Sequence, residues 1–166
     1  MATARIRITG LADAVNALDP AILATPARKL LERTGITVQG KARKKAPVDR
    51  GGLRDSITYQ VDTSYFPRYV EVGSNLEYAR ATELGRPPGK MPPSGPLEVW
   101  AARHPKPGGY EPGDGFALAL KIMREGIKER PYLEPALNES IPQIRRFVTQ
   151  MGRDIEQEAA KRGGGA

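Results

Sequence analysis

The chain contains no cysteine and a single histidine, His104, so disulfides, thiolate chemistry and the usual His-based metal sites or His-paired nucleophiles have no residues to build on. Aromatic residues make up only 6% and hydrophobic residues 39%, so a modest core is expected. No apolar run approaches the ~18 residues of a membrane span, and residues 1–8 lack the apolar segment of a signal peptide. A soluble protein made where it is used is the expectation, with no membrane partner. No phosphate-cradling G-x-x-x-x-G-K-[ST] or G-x-G-x-x-G pattern and no H-E-x-x-H occurs. Glu71, Glu77 and Glu83 are interleaved with Arg68, Arg80 and Arg86, a pattern that reads as surface ion pairs, and His104 reads as a solvated loop residue. No catalytic residue, metal or cofactor is expected, and the chain is read as not an enzyme.

Glycine and proline are plentiful instead, 33 of 166 residues, and cation excess is the other feature. The net charge of +7 lies almost wholly in residues 1–55, which hold 11 Lys or Arg against 5 Asp or Glu. Three readings of that asymmetry stand open: nucleic acid, an acidic protein partner, or a solvated helix face.

The stretch Ala46 to Ser56 separates two kinds of pattern. Thr25-Pro26 reads as N-cap and first residue of a helix that runs through Leu30, Leu31, Thr34, Val38 and Ala42 to Lys45. Its last turn is cationic, which suits the negative end of the helix dipole, while Gly35 and Gly40 weaken its interior. Pro47 disfavours the helical region for Ala46, and Gly51-Gly52 supplies positive φ angles for a reversal. Beyond it, Ile57, Tyr59 and Val61 alternate, as do Val70 and Val72, which predicts an antiparallel hairpin.

A first strand is expected over 4–9, with Ile6 and Ile8 on one face, and a short helix over 11–18. Residues 77–85 fit neither pattern clearly. Residues 85–115 are dense in Pro and Gly, broken by a short helix around Leu97 to Arg103 with Trp100 as anchor, and read as an extended arm. A helix is predicted over 116–127 with Phe116, Leu120, Met123 and Ile127 on one face. After an extended connector, Arg130 to Leu137, a long amphipathic helix is predicted over 135–160, with Leu137, Ile141, Ile144, Val148, Met151 and Ile155 as its stripe and Pro142 as a point where it can bend. The fold expected is α+β, a small mainly antiparallel sheet packed by long helices, forming one domain over 1–160 with residues 161–166 as a disordered tail.

Three segments together resemble one known family. Lys44-Lys45-Ala46-Pro47-Val48-Asp49 followed by Gly52-Leu53-Arg54-Asp55-Ser56-Ile57 resembles the hinge of bacteriophage tail-component proteins. Glu77-Tyr78-Ala79 with Glu83-Leu84-Gly85, and Arg130-Pro131-Tyr132-Leu133-Glu134-Pro135-Ala136-Leu137, are similar to two further segments of that family, in the same order. The departures are Tyr132 where Phe is usual, and the extended Pro/Gly stretch.

The resemblance implies a virion component, a neck or tail-completion protein of long-tailed double-stranded DNA phages, made in the host cytoplasm. It implies a homo-oligomeric ring, for which six-fold symmetry, that of tail-end rings, is favoured over the twelve-fold symmetry of the portal side. Its neighbours would be head-closure or adaptor proteins and tail-terminator or tail-tube proteins. Under that reading Arg86, Lys90, Met91, Trp100, His104 and Tyr110 are candidate partner contacts. Lys41, Arg43, Lys44, Lys45, Arg50 and Arg54 are candidate contacts for an acidic partner or for the phosphates of packaged DNA. The alternative is a basic nucleic-acid-binding protein that uses residues 28–54, although residues 28–45 hold no aromatic for base stacking.

Overall fold

Alternation in three short segments and helical periodicity elsewhere give an α+β fold in the computed structural model, which describes residues 2–7, 20–64, 68–104, 111 and 113–163. The helix expected over 11–18, Ile8 and Thr9 at the end of the expected first strand, and Tyr110 lie outside the described residues.

The described chain falls into two compact units, one from residues 1–79 and 131–166 and one from residues 80–130. In the first, strands β1 (Ala2–Arg7), β2 (Thr58–Val61) and β3 (Tyr69–Ser74) form an antiparallel sheet in the order β1-β3-β2. Ile6 pairs with Val70 and Tyr59 with Val72, so the hairpin predicted for β2 and β3 is present. Asp62 closes that hairpin by accepting from the Ser64 N–H, the Ser64 hydroxyl and the Arg68 N–H. These bonds, those of Ser64 foremost, hold its carboxyl below the usual range.

Helix α1 (Pro20–Lys45) and helix α6 (Leu133–Gly163) pack against each other, and α1 also covers β2 and β3. The core joins Val38, Ala42 and Ala46 to Leu53, Ile57 and Val72, and closes with Tyr132, Leu133 and Ala136 from the far end of the chain.

The boundaries of both long helices differ from expectation. α1 starts at Pro20, so Pro26 lies inside it; Asp19-Pro20 is itself a helix-start pair, and tertiary burial of Leu23, Ala27, Leu30 and Leu31 outweighs the local penalty at Pro26. α6 starts at Leu133, two residues before Pro135, because a proline in the first turn removes an N–H that has no partner there anyway. It continues through Pro142 and extends to Gly163, into the stretch expected to be a tail; Ala159, Ala160 and Lys161 are strong helix formers. The buried side of α6 is Leu133, Ala136 and Ser140, so the predicted stripe is only its flank: Leu137 and Ile144 are half-buried, whereas Ile141 and Val148 are 41% and 40% exposed.

The second unit holds α3 (Ala79–Leu84, beginning at the boundary), α4 (Ser94–Ala101) and α5 (Gly115–Glu125), with α4 packed on α5. Residues 79–84, which fit neither pattern in the sequence, are helical. Glu83 is buried, not a surface carboxylate, because it lies one turn beyond the fully buried Ala79 on the same face. The face of α5 is also not the expected one. Phe116 is 60% exposed, and Gly115, Leu118 and Ala119 are buried instead.

Candidate functional site

The hinge after α1 is built around one backbone carbonyl. Gly51, at φ 81, makes the reversal, and Gly52–Ser56 then forms a helical turn, α2, where the sequence suggests direct passage into a strand. Only Gly51 of the glycine pair takes a positive φ. Leu53 anchors the turn in the core, and the Ser56 hydroxyl, 2.8 Å from the Leu53 carbonyl and 2.7 Å from the Ser74 hydroxyl, ties it to β3. The carbonyl of the fully buried Ile57 then accepts from Gln39 Nε2 at 2.9 Å and from Arg43 Nε and Nη2 at 3.1 and 2.8 Å.

That arrangement assigns structural work to much of the cationic helix end. Arg43 grips the Ile57 carbonyl. Lys41 Nζ donates to the Glu139 carbonyl at 2.6 Å, and Lys45 Nζ lies 2.5 Å from the Glu139 carboxylate. Both latter contacts lock α1 to α6, and the Lys45 hydrogen bond holds the Glu139 carboxyl below its usual range. Arg54 pairs with its neighbour Asp55 at 3.1 Å, whereas Lys44 and Arg50 are exposed. Of the six candidate phosphate or acidic-partner residues, three therefore have their heads fixed by distant parts of the protein itself.

The described candidate partner residues, Arg86, Lys90, Met91, Trp100 and His104, lie in the second unit. Trp100 stacks on His104, ring centroids 4.4 Å apart and 18° from parallel, and His104 Nδ1 lies 2.9 Å from the Trp100 carbonyl. His104 is thus half-buried, not the solvated loop residue expected; the helical turns from Trp100 to His104 bring the rings over each other. Arg86 donates to the Lys90 carbonyl and forms a two-bond bridge with Ile127, at 2.9 and 2.8 Å. Lys90 is exposed and Met91 half-buried.

Sequence reasoning misses the feature next to Trp100. An open trough of about 440 Å³ runs between α4 and α5, walled by Leu97, Trp100, Leu118 and Ile122. Lys121 and Arg130 also line it. Its end is fixed by Gly126 and Ile127. Gly126, at φ 77 and ψ −162, takes a conformation that is essentially glycine-only, and a Cβ there would collide with the Arg86 carbonyl oxygen. The signal available in the sequence is Leu118 and Ile122, one turn apart on α5, a pair that the face led by Phe116 leaves out. Among the described residues no three His, Asp or Glu side chains gather as metal ligands, and no described helix is long and apolar enough to cross a membrane.

Comparison with known proteins gives one family. The model of the family described as "Bacteriophage HK97-gp10, putative tail-component" matches residues 10–85. Residues 10–85 are an HK97-gp10-like segment. No curated protein and no solved structure matches the chain. The HK97-gp10-like segment holds α1, the hinge and the β2–β3 hairpin, including the two resembling stretches at Lys44–Ile57 and Glu77–Gly85; the third, Arg130–Leu137, lies beyond it. The matched family is described as a phage tail component, and the match covers residues 10–85 of the 166.

Proposed function

We propose that this protein is a phage tail component, a non-catalytic subunit of a ring at the head–tail junction of a tailed phage or phage-like particle, acting in neck formation or tail completion. The observation that carries the reading is the HK97-gp10-like match across the hinge and hairpin. The physical arrangement supports it. A ring subunit needs a rigid body and separate surfaces for its neighbours, because heterologous contacts between identical chains close a ring without any reactive group. Here the Ile57 carbonyl and Glu139 bind hinge, sheet and both long helices into one body. Apolar side chains remain exposed on the first unit at Ile36, Val48, Ile141 and Val148 and on the second at Val99 and Phe116. The neighbours in this reading are head-closure or adaptor proteins on one side and tail-terminator or tail-tube proteins on the other.

The nucleic-acid alternative loses ground, since Lys41, Arg43 and Lys45 hold groups of the protein itself. The test is the mass of the purified protein by native mass spectrometry and light scattering across concentration and salt. A discrete ring, or a monomer that forms one when neck or tail proteins are added, is expected. A monomer that ignores those proteins and binds duplex DNA with a steep salt dependence overturns the proposal.

A further inference from the structure

We infer that the trough between α4 and α5 is a docking site for an acidic segment of a neighbouring virion protein, one that inserts a large apolar side chain and sets carboxylates against Lys121 and Arg130. The inference rests on the tail-component reading for the source of the partner, and on the trough itself for the partner's chemistry. Leu97, Trp100, Leu118 and Ile122 supply an apolar wall, and about 440 Å³ is within the ~300–1,000 Å³ range of clefts that hold specific ligands. The lining holds two cations and no carboxylate. An apolar segment with negative charge meets both features; a neutral one gains nothing from the cations, and a basic one is repelled.

The site is held ready. The Arg130 N–H donates to the Thr82 carbonyl at 2.7 Å, the Arg86–Ile127 bridge pins the connector, and the Gly126 N–H donates to the Ile122 carbonyl at 2.9 Å. These bonds fix the backbone that carries Arg130 without using its guanidinium. Lys121 reaches Glu125 only at 3.9 Å with both side chains more than half exposed, so it exchanges that partner for another at little cost. A nucleic-acid occupant fits less well. One face of Trp100 is already covered by His104, and the other walls are aliphatic, whereas strand binding uses open aromatic faces for bases.

Trp100 is the only tryptophan, so the full-length protein reports occupancy through its own fluorescence. The probes are three capped peptides with a central Phe-Leu pair flanked by Asp and Glu, by Asn and Gln, or by Lys, together with a single-stranded oligonucleotide. The acidic peptide is expected to give a saturable change in Trp100 emission, with the neutral peptide weaker by roughly tenfold or more and the basic peptide silent. The double variant Lys121→Gln, Arg130→Gln changes only exposed heads. It should bring the acidic peptide down to the neutral one and remove the salt dependence. Equal binding of all three peptides, no binding of any, or preference for the oligonucleotide overturns the inference. Because the readout needs only the purified chain, peptide binding by a chain that forms no ring either alone or with neck or tail proteins supports the trough while refuting the ring, and a ring that does not bind the peptide does the reverse.

Discussion

Gly35 sits in the middle of α1, where propensity alone says that alanine improves the helix by ~1 kcal/mol. The packing says the opposite. A Cβ on Gly35 would lie 2.5 Å from Tyr59 Cδ2, 2.8 Å from Tyr59 Cγ and 3.0 Å from Val70 Cγ2, against an optimal carbon–carbon separation of ~3.5–4.0 Å. The Tyr59 ring must retreat by about 1 Å, and Val70, fully buried in the central strand, leaves little room for α1 to tilt away instead. Overpacking of this kind costs roughly 1–3 kcal/mol, which offsets or exceeds the gain in propensity. Gly40 is the internal control, because it lies in the same helix, is exposed, and has nothing within 4 Å of an added Cβ.

Gly40→Ala should therefore stabilise by about 0.5–1 kcal/mol and Gly35→Ala should fall below it by about 1–3 kcal/mol. The measurement is urea unfolding followed by circular dichroism at the helix band, since Trp100 reports on the other unit. A double-mutant cycle isolates the cause: in a Tyr59→Ala background most of the penalty at Gly35 should vanish. If Gly35→Ala is as stabilising as Gly40→Ala, the close approach of Tyr59 to α1 is wrong, and with it the seating of the helix on the sheet.

Arg43→Ala removes two charge-assisted bonds to the Ile57 carbonyl and should cost about 1–2 kcal/mol after allowance for partial exposure, while Lys44→Ala should stay within about 0.5 kcal/mol; equal thermal shifts would refute the hinge role. The folded-state pKa of Glu139 is depressed, so its contribution is complete at neutral pH and drains away as pH falls through the folded value. Glu139→Gln should thus lower Tm at pH 7 and make no difference near pH 2, and a gap that persists there would refute the Lys45 pairing. Gly126→Ala forces a glycine-only backbone conformation and drives a Cβ into the Arg86 carbonyl, so a loss of at least about 2 kcal/mol is expected in the Trp100 fluorescence melt. A fragment ending at residue 85 lacks Tyr132, Leu133 and Ala136 and should show no cooperative melt until a peptide spanning residues 131–163 is added; a cooperative melt of the fragment alone would contradict the core described above.

The parts legible in the sequence are those where one periodicity has no competitor. Ile57, Tyr59 and Val61 alternate with Thr58 and Gln60, and the buried or half-buried set is the predicted one. Proline misleads at three points, always for the same reason. At Pro20, Pro26 and Pro135 the local rule gives two admissible readings, start or break, and the choice is made by whether Leu23, Leu31 or Leu133 finds a core to enter. That information is tertiary. On α5 and α6 the stripes at Phe116 and Ile141 are apolar enough to read as core, but Gly115, Ala119, Ala136 and Ser140 are the residues small enough for close packing, and they carry little hydrophobic signal of their own. The cationic end of α1 is visible as charge, and its use is not, because the Ile57 carbonyl and Glu139 lie 14 and 94 to 98 residues from the cations they hold.

The border of the family match has a physical counterpart. Residues 10–85 hold α1, the hinge and the hairpin, yet Val38 and Ala42 are sealed by Tyr132, Leu133 and Ala136, which lie outside the match. The HK97-gp10-like segment therefore supplies a half-core whose cover comes from a helix after residue 130. Between segment and cover the chain forms the second unit, closed on itself by the Arg86–Ile127 bridge and by the Thr82–Arg130 bond. Those ties join its entry and exit. The trough proposed above as a docking site lies in this unit, past the end of the matched segment.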